Sequence, residues 1–292
     1  MIMERRRAPH GVLVPIVTPT NARSEVDVAR FKRHILWLAK REVDGIVVGG
    51  TTGEGHKLRR EEKGSLIDAA VEVRRGLLRQ GFQIIIGTGS KSFEEAEEVA
   101  VHARVKGCDA VLALPPDSDS QQQIESFYSE LSKRAPGIAL VAYNIPQLSG
   151  VSLQPRTIAR LVEGGFVTGV KDSSGDKMLL HEWKQENPNT FVAVGSDSLI
   201  YRGVHEANAE AVVSGVGNIA PRQLIEAFRG SEQIAALAQQ DINRINSKLL
   251  ATGNYVQALK ANLFKEPVKD DQSKPFNPQF RVEPDQASRL RI

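Results

Sequence analysis

The sequence is poor in the features that define several classes of protein. Cys108 is the single cysteine among 292 residues, so no disulfide can form within the chain and nothing requires an oxidising compartment. No stretch approaches the roughly 18 apolar residues of a membrane-spanning helix. The formal net charge of +3 is too small to indicate a nucleic-acid or membrane partner. Since the basic N-terminus also lacks the apolar segment of a secretory signal, we expect a cytoplasmic protein.

Motifs for metal, phosphate and serine chemistry are missing as well. The six histidines are scattered without HxH or HExxH spacing, and no carboxylates cluster, so we expect no metal site. Gly50 and Gly55 have phosphate-loop spacing, but His56 stands where that motif needs a lysine. The run GVGNIA at 215–220 imitates a dinucleotide fingerprint, yet it leads directly into Pro221. A GxSxG elbow for serine hydrolysis is also absent.

What the sequence has instead is a regular alternation of short apolar segments and longer amphipathic ones. The apolar segments are hydrophobic on both faces, which is typical of parallel strands covered by helices. Eight strands are predicted, at Gly11–Thr18, Asp44–Gly50, Gln83–Thr88, Asp109–Leu114, Ile138–Asn144, Phe166–Lys171, Phe191–Gly195 and Ala211–Ser214. Helical patterns lie between them, at Val26–Lys40, Arg60–Arg75, Phe93–Val105, Gln123–Arg134, Thr157–Val162, Lys177–Asn187 and Leu199–Ala207.

Eight strands alternating with helices over about 200–250 residues indicate an α/β fold, the (β/α)8 TIM barrel, although a doubly wound open sheet also fits the strand count. Three further helices are predicted at Pro221–Phe228, Ile234–Leu250 and Asn254–Leu263, followed by an irregular, proline-rich tail at 271–284. We therefore expect a barrel over residues 1–220. A C-terminal three-helix appendix with its tail, over residues 221–292, would pack as part of the same unit.

Two side chains at predicted strand ends point to amine chemistry, because strand ends face the active-site mouth of such a barrel. Lys171 closes the sixth strand, where an apolar run ordinarily keeps a lysine out. A dry setting favours the neutral amine, which is the form that attacks a carbonyl to make a Schiff base. Tyr143 ends the fifth strand, next to Lys171, and could move a proton during that reaction. The alternatives are a lysine that reaches the surface or pairs with Asp172, and a tyrosine that packs in the core.

A glycine-rich turn follows the second strand. Its sequence, GGTTGEG at residues 49–55, places the hydroxyls of Thr51 and Thr52 beside flexible backbone. Backbone amides and hydroxyls that converge in this way suit a carboxylate or phosphate oxygen. A tight strand-to-helix turn without a ligand is an equally good interpretation.

Four motifs at four strand ends, GGTTGEG, YNIP, GVKDSSGD and VVSGVGN, resemble the dihydrodipicolinate synthase / N-acetylneuraminate lyase family of Schiff-base aldolases. The similarity extends over essentially the whole chain. It implies a barrel in which Lys171 condenses with the keto carbon of pyruvate or a longer 2-oxo acid. Tyr143 would shuttle protons, and Gly50, Thr51 and Thr52 would hold the substrate carboxylate. The resemblance implies no metal or organic cofactor, since the protonated imine is itself the electron sink.

The resemblance leaves the substrate open. The synthase of this family carries an arginine where this chain has Leu148, and a tyrosine pair after the fourth strand where this chain has Pro115–Ser118. Both departures argue against lysine biosynthesis. The loop YNIPQLSGV looks closer to the sialic-acid lyase. KDSSGD and VSGVGN look most like members that act on 2-keto-3-deoxy sugar acids or 4-hydroxy-2-oxoglutarate.

For such a hydroxylated substrate, the binding candidates are Ser173, Gly195, Asp197 and Ser214, although the polar side chains could instead cap helices. The function predicted is a class I lyase or aldolase that forms or releases pyruvate. The alternatives are the synthase itself without its usual arginine, and a barrel that binds a 2-oxo acid without turning it over. The resemblance also implies a homo-oligomer, a tetramer as in many family members.

Overall fold

The computed structural model describes residues 7–21, 23–78 and 80–264, and its eight strands close into a parallel barrel in chain order. The strands are β1 Gly11–Pro15, β2 Gly45–Val48, β3 Gln83–Gly87, β4 Ala110–Ala113, β5 Ala139–Asn144, β6 Gly169–Asp172, β7 Phe191–Val194 and β8 Ala211–Val213. Because β8 pairs with β1, the sheet has no open edge. The TIM barrel prediction is confirmed, and the doubly wound open sheet is excluded.

Within the described residues, eleven helices lie between the strands and after them. They are α1 Val28–Ala39, α2 Arg60–Arg75, α3 Phe93–Val105, α4 Gln121–Arg134, α5 Pro146–Ser149, α6 Pro155–Glu163, α7 Leu179–Glu186, α8 Ile200–His205, α9 Pro221–Arg229, α10 Glu232–Leu250 and α11 Tyr255–Phe264. The three helices predicted after the eighth strand are α9, α10 and α11. The predicted tail at 271–284 lies outside the described residues, and the division of the chain at residue 220 stays a prediction.

Alternate residues of each strand point into the barrel, as the two-residue period of a strand requires. The buried interior cluster consists of Leu13, Val47, Ile85, Ala110, Leu112, Ala139, Val141, Tyr143, Phe191, Ala193, Ala211 and Val213. The other face of the strands packs against the helices in a separate, larger cluster. The interior set includes Tyr143, and the β5–β6 register aligns Tyr143 with Lys171. The strand geometry thus directs both side chains to the inside of the barrel.

The first strand is shorter than predicted because, at Val17, the side chain of Asn218 takes the place of a backbone partner from a neighbouring strand. Pairing ends at Pro15, and the N–H of Val17 donates to Asn218 Oδ1 at 3.2 Å. Asn218 Nδ2 donates to the carbonyl of Pro15 at 2.9 Å, and His34 Nε2 contacts Asn218 Oδ1 at 3.0 Å. Burial lowers the pKa of His34 to about 4, even though the bond to Asn218 opposes this. A neutral His34 therefore helps to fix the turn after β8 against β1.

Candidate active site

Lys171 and Tyr143 lie side by side at the carboxyl end of the barrel interior. Lys171 is only 6% exposed, and its Nζ is 4.0 Å from the centroid of the Tyr143 ring. The carboxylate of Asp172 is held elsewhere, by Asn144 Nδ2 at 3.0 Å and by Trp183 Nε1 at 3.1 Å. The lysine is therefore neither a surface side chain nor the partner of Asp172, and it faces the phenol as the sequence predicts.

Gly195, immediately after β7, leaves the space that the lysine occupies. A Cβ atom at this position would lie 2.7 Å from Lys171 Cε and 2.0 Å from Ser173 Oγ. The Gly195 N–H donates to the carbonyl of Asp172 at 2.7 Å, so the backbone here cannot easily withdraw. Gly195 thus has a steric role beside the amine, and its predicted contact with substrate stays a prediction.

The hydroxyl of Tyr143 meets that of Thr51 at an O···O distance of 3.5 Å. Burial by itself raises the pKa of Tyr143. The positive charge of Lys171, with hydrogen bonds from Thr51 and Lys171, outweighs burial and brings the pKa below its ordinary value of about 10. Ser173 adds to this lowering, although its buried Oγ makes no hydrogen bond of normal geometry to any described residue. A phenol in this state gives up a proton more readily than an ordinary tyrosine.

The glycine-rich turn after β2 is folded back on itself, and this brings Thr51 to Tyr143. Gly49 has a φ of +66°, which a residue with a side chain rarely adopts. At Gly55 a Cβ atom would lie 1.8 Å from the carbonyl oxygen of Gly49. Thr52 is half-buried in the same turn, and Gly50 is buried. Gly50, Thr51 and Tyr143 line one cavity of about 310 Å³, and its use as a carboxylate site stays a prediction.

Asp197 and Ser214 also lie at the mouth of the barrel, bonded to each other. Ser214 Oγ donates to Asp197 Oδ1, and the hydroxyl of Tyr255 donates to Asp197 Oδ2 at 3.2 Å. Burial raises the pKa of Asp197, against the opposing effects of Ser214, Tyr255 and the charge of Lys171. Burial, the Asp197 charge and their hydrogen bond raise the pKa of Tyr255 well above 10. Ser214 makes no capping hydrogen bond to the turn that follows it, so its hydroxyl serves Asp197 instead.

Sequence reasoning missed two residues of α11 that reach the rim. Tyr255 bonds Asp197, and Lys260 Nζ donates to Glu54 Oε2 in the glycine-rich turn. Lys260 is only 9% exposed and lies among the buried residues of α11. A lysine and a tyrosine on a mostly apolar predicted helix were the available signal. Helix α11 therefore contributes directly to the site.

Neither a metal cluster nor a membrane helix occurs in the part of the chain that the structure describes. No group of three or more histidine, cysteine, aspartate or glutamate side chains there is placed to hold a metal ion. None of the described helices combines the length and apolarity needed to cross a bilayer.

The model of the Dihydrodipicolinate synthetase family matches residues 8–289. The chain belongs to this family. A 4-hydroxy-tetrahydrodipicolinate synthase from Bartonella bacilliformis is 32% identical over 237 residues, which cover 79% of this chain and 79% of that protein. Members of the family are lyases and aldolases that form Schiff bases, and this chain is an enzyme of that class.

Two solved structures have the same fold. A catalytic lysine mutant of the Ruminococcus gnavus sialic acid aldolase is 24% identical, covers 87% of this chain and 84% of that chain, and has a TM-score of 0.80. A prophage protein from E. coli K12, in complex with pyruvate, is 22% identical, covers 87% of each chain and also has a TM-score of 0.80. At these sequence identities the two structures show a shared barrel fold and nothing further about this chain.

Proposed function

We propose that this enzyme is a class I lyase or aldolase in which Lys171 forms a Schiff base with pyruvate or a longer 2-oxo acid. The observation that carries the proposal is the Lys171 amine held inside the barrel, 4.0 Å from the centre of the Tyr143 ring. Thr51, 3.5 Å from the Tyr143 hydroxyl, brings the proposed carboxylate site to the same place. The pyruvate complex of the E. coli relative is consistent with this choice of ligand.

The reaction begins when the neutral Lys171 amine attacks the keto carbon, and the carbonyl electron pair moves to the oxygen. That oxygen takes one proton from Tyr143 and one from the attacking nitrogen and leaves as water, so that a protonated C=N bond forms and Tyr143 is left as a phenolate. In the cleavage direction the bond between C3 and C4 then breaks, its electrons enter the imine to give an enamine, and the C4 hydroxyl loses its proton as the aldehyde forms. Tyr143, left as a phenolate when the imine forms, takes up that proton.

The substrate carboxylate would bind at Gly50, Thr51 and Thr52, where hydroxyls and backbone amides converge. Ser173, whose buried hydroxyl makes no hydrogen bond of normal geometry to any described residue, is available to bind a substrate hydroxyl near Lys171. Asp197 and Ser214 would bind hydroxyl groups further along the carbon chain of the substrate. This supports a 2-keto-3-deoxy sugar acid, 4-hydroxy-2-oxoglutarate or a sialic-acid-like substrate.

The second candidate is 4-hydroxy-tetrahydrodipicolinate synthase, the activity named for the Bartonella relative. Leu148 argues against it, since this residue stands where the synthase resemblance calls for an arginine. A barrel that binds a 2-oxo acid without turnover is the third candidate. With the first candidate we also propose catalysis without a cofactor, and a cytoplasmic homotetramer.

Borohydride reduction in the presence of pyruvate tests the proposal directly. We expect a reduced pyruvyl group on Lys171, located by peptide mass spectrometry, and no such product in Lys171→Ala. An unmodified protein, or labelling at another lysine, would rule out the mechanism. Pyruvate release from the three substrate types, and condensation of pyruvate with aspartate semialdehyde, then separate the first two candidates. Trapping without any turnover favours the third.

A further inference from the structure

The cavity beside the proposed carboxylate site is lined by a basic side chain that the mechanism does not use. From Thr51 and Tyr143 the cavity extends to the loop after β3, where Lys91 forms part of its lining. Among the described residues that line it, none is acidic, and the basic ones are Lys91 and His56. The side chain of Lys91 is 34% exposed. Its carboxylate partner is Asp117, at 3.3 Å, whose own side chain is 84% exposed.

The volume and the walls of this cavity suit a ligand larger than pyruvate. Sites of roughly 300 Å³ and above hold molecules well beyond the size of a three-carbon acid, and this cavity measures about 310 Å³. Leu112 and Leu114 form its apolar side, and Leu148, which is 60% exposed, also lines it. Apolar walls strengthen the attraction between a cation and an anion because they keep water away. Lys91 is therefore better placed to bind an anion than a lysine on an open surface.

The positive charge of this cavity comes from the loop after β3. Leu148, which lines the same cavity from α5, supplies no charge, whereas Lys91 does. The exposed ion pair with Asp117 is of a kind that contributes little, so a ligand carboxylate can replace Asp117 at small cost.

We propose that Lys91 binds the distal carboxylate of a substrate that carries an acid group at each end. This rests on the proposed Schiff base at Lys171, and it specifies the substrate class of that site. One carboxylate would lie at the Thr51 turn, the keto carbon at Lys171, and the second carboxylate at Lys91. The distal acid can belong to a dicarboxylic 2-oxo acid or to an aldehyde that carries a carboxylate.

Two five-carbon acids test the proposal, because 2-oxoglutarate ends in a carboxylate where 2-oxovalerate ends in a methyl group. The measurement is the concentration of each that gives half-maximal borohydride trapping at Lys171. We expect the half-maximal concentration for the wild type to be about tenfold lower for 2-oxoglutarate than for 2-oxovalerate, as a single charge-assisted hydrogen bond allows. Lys91→Met should lose this preference and keep the wild-type value for pyruvate, whereas Lys91→Arg should retain the preference. Lys133→Met, which removes an exposed lysine of α4, controls for net charge.

Three outcomes would overturn the proposal and leave the Schiff base standing. The wild type could trap the two five-carbon acids equally, or trap pyruvate and neither of them. The third outcome is a preference for 2-oxoglutarate that survives in Lys91→Met. Failure of pyruvate itself to trap would instead refute the proposed function. The source of the distal acid follows from pyruvate release from 4-hydroxy-2-oxoglutarate and pyruvate consumption with aspartate semialdehyde. If Lys91→Met loses activity in only one of these two reactions, that reaction identifies the source of the distal acid. If it loses activity in neither, the proposal is contradicted.

Discussion

Lys260 of α11 donates a hydrogen bond to the carboxylate of Glu54, a residue 206 positions earlier in the chain. Both side chains are largely buried, and Glu54 also receives a bond from Lys57 at 3.1 Å. Burial raises the pKa of Glu54, but the hydrogen bonds and charges of Lys260 and Lys57 lower it further than burial raises it. Glu54 has a φ of +52°, in the left-handed region, and it lies in the same turn as Thr51 and Thr52. Helix α11 is thus bonded to the turn that contains the proposed carboxylate site.

Replacing Lys260 by methionine should disturb that turn. The carboxylate of Glu54 would lose its most buried partner, so we expect the free energy of unfolding in urea to fall by about 1–3 kcal/mol. The half-saturating pyruvate concentration for trapping should rise more than the maximal rate falls, because the turn positions substrate and does not react. Lys260→Arg should restore most of both values. A Lys260→Met protein with wild-type stability and wild-type pyruvate dependence would contradict this role.

The same ion pair predicts how stability depends on pH. The pKa of Glu54 in the folded protein lies below its ordinary value of 4.5. Its contribution to stability is therefore present above the unfolded pKa and is lost as pH falls through the folded pKa. Urea unfolding between about pH 3 and pH 6 should show a smaller acid-induced loss of stability in Glu54→Gln than in the wild type. Parallel pH profiles of the two proteins would show that Glu54 is not the group concerned.

Replacing Gly195 by alanine should slow imine formation and leave the fold intact. The new methyl group would collide with Lys171 Cε and Ser173 Oγ, and displacing the amine by about 1 Å can cost about 100-fold in rate. Stopped-flow or quenched trapping with pyruvate measures this rate. The matched control is Gly64→Ala in α2, where the nearest atom to the new Cβ is 3.8 Å away, so trapping should be unchanged. Wild-type trapping by Gly195→Ala would refute the steric role.

Replacing Tyr143 by phenylalanine should slow turnover about 10²–10⁴-fold, the usual range for loss of a positioned proton donor. Trapping of pyruvate on Lys171 should still occur, more slowly, since the nucleophile remains. Because Tyr143 must be protonated to donate, the wild-type rate should fall as pH rises through its pKa, which lies below about 10. The pH profile of the residual activity in Tyr143→Phe should lack this decline. Full activity in the variant would assign the proton transfer to another group.

Asp197 gives a stability test with the opposite sign to Glu54. Its pKa is raised in the folded protein, so its contribution is fully present below the unfolded pKa and is lost as pH rises through the folded pKa. Relative to Asp197→Asn, the wild type should therefore gain stability as pH is lowered through that range, by at most about 1.4 kcal/mol per pH unit. Urea unfolding over a pH series measures the difference. A difference that does not change with pH would show that Asp197 titrates normally.

The sequence alone predicts the barrel and the Lys171–Tyr143 pair because both follow from short-range rules. The two-residue period directs residues 139, 141 and 143 inward, and neighbouring parallel strands bring Tyr143 beside Lys171. The four-residue helix α5 escapes detection because it is too short to show a helical period. The bonds from Tyr255 to Asp197 and from Lys260 to Glu54 depend on how α11 packs across the rim, and no local pattern encodes that. The hydrogen bond between Ser214 and Asp197 cannot be predicted from the sequence for the same reason, although each residue is predicted separately to bind substrate.

The bonds from α11 also set an order of assembly during synthesis. A nascent chain that has emerged from the ribosome only as far as β8 contains Glu54 and Asp197, but neither Lys260 nor Tyr255 has yet been exposed to meet them. We therefore expect the reactive pocket to be completed only after α11 has been synthesised and has docked.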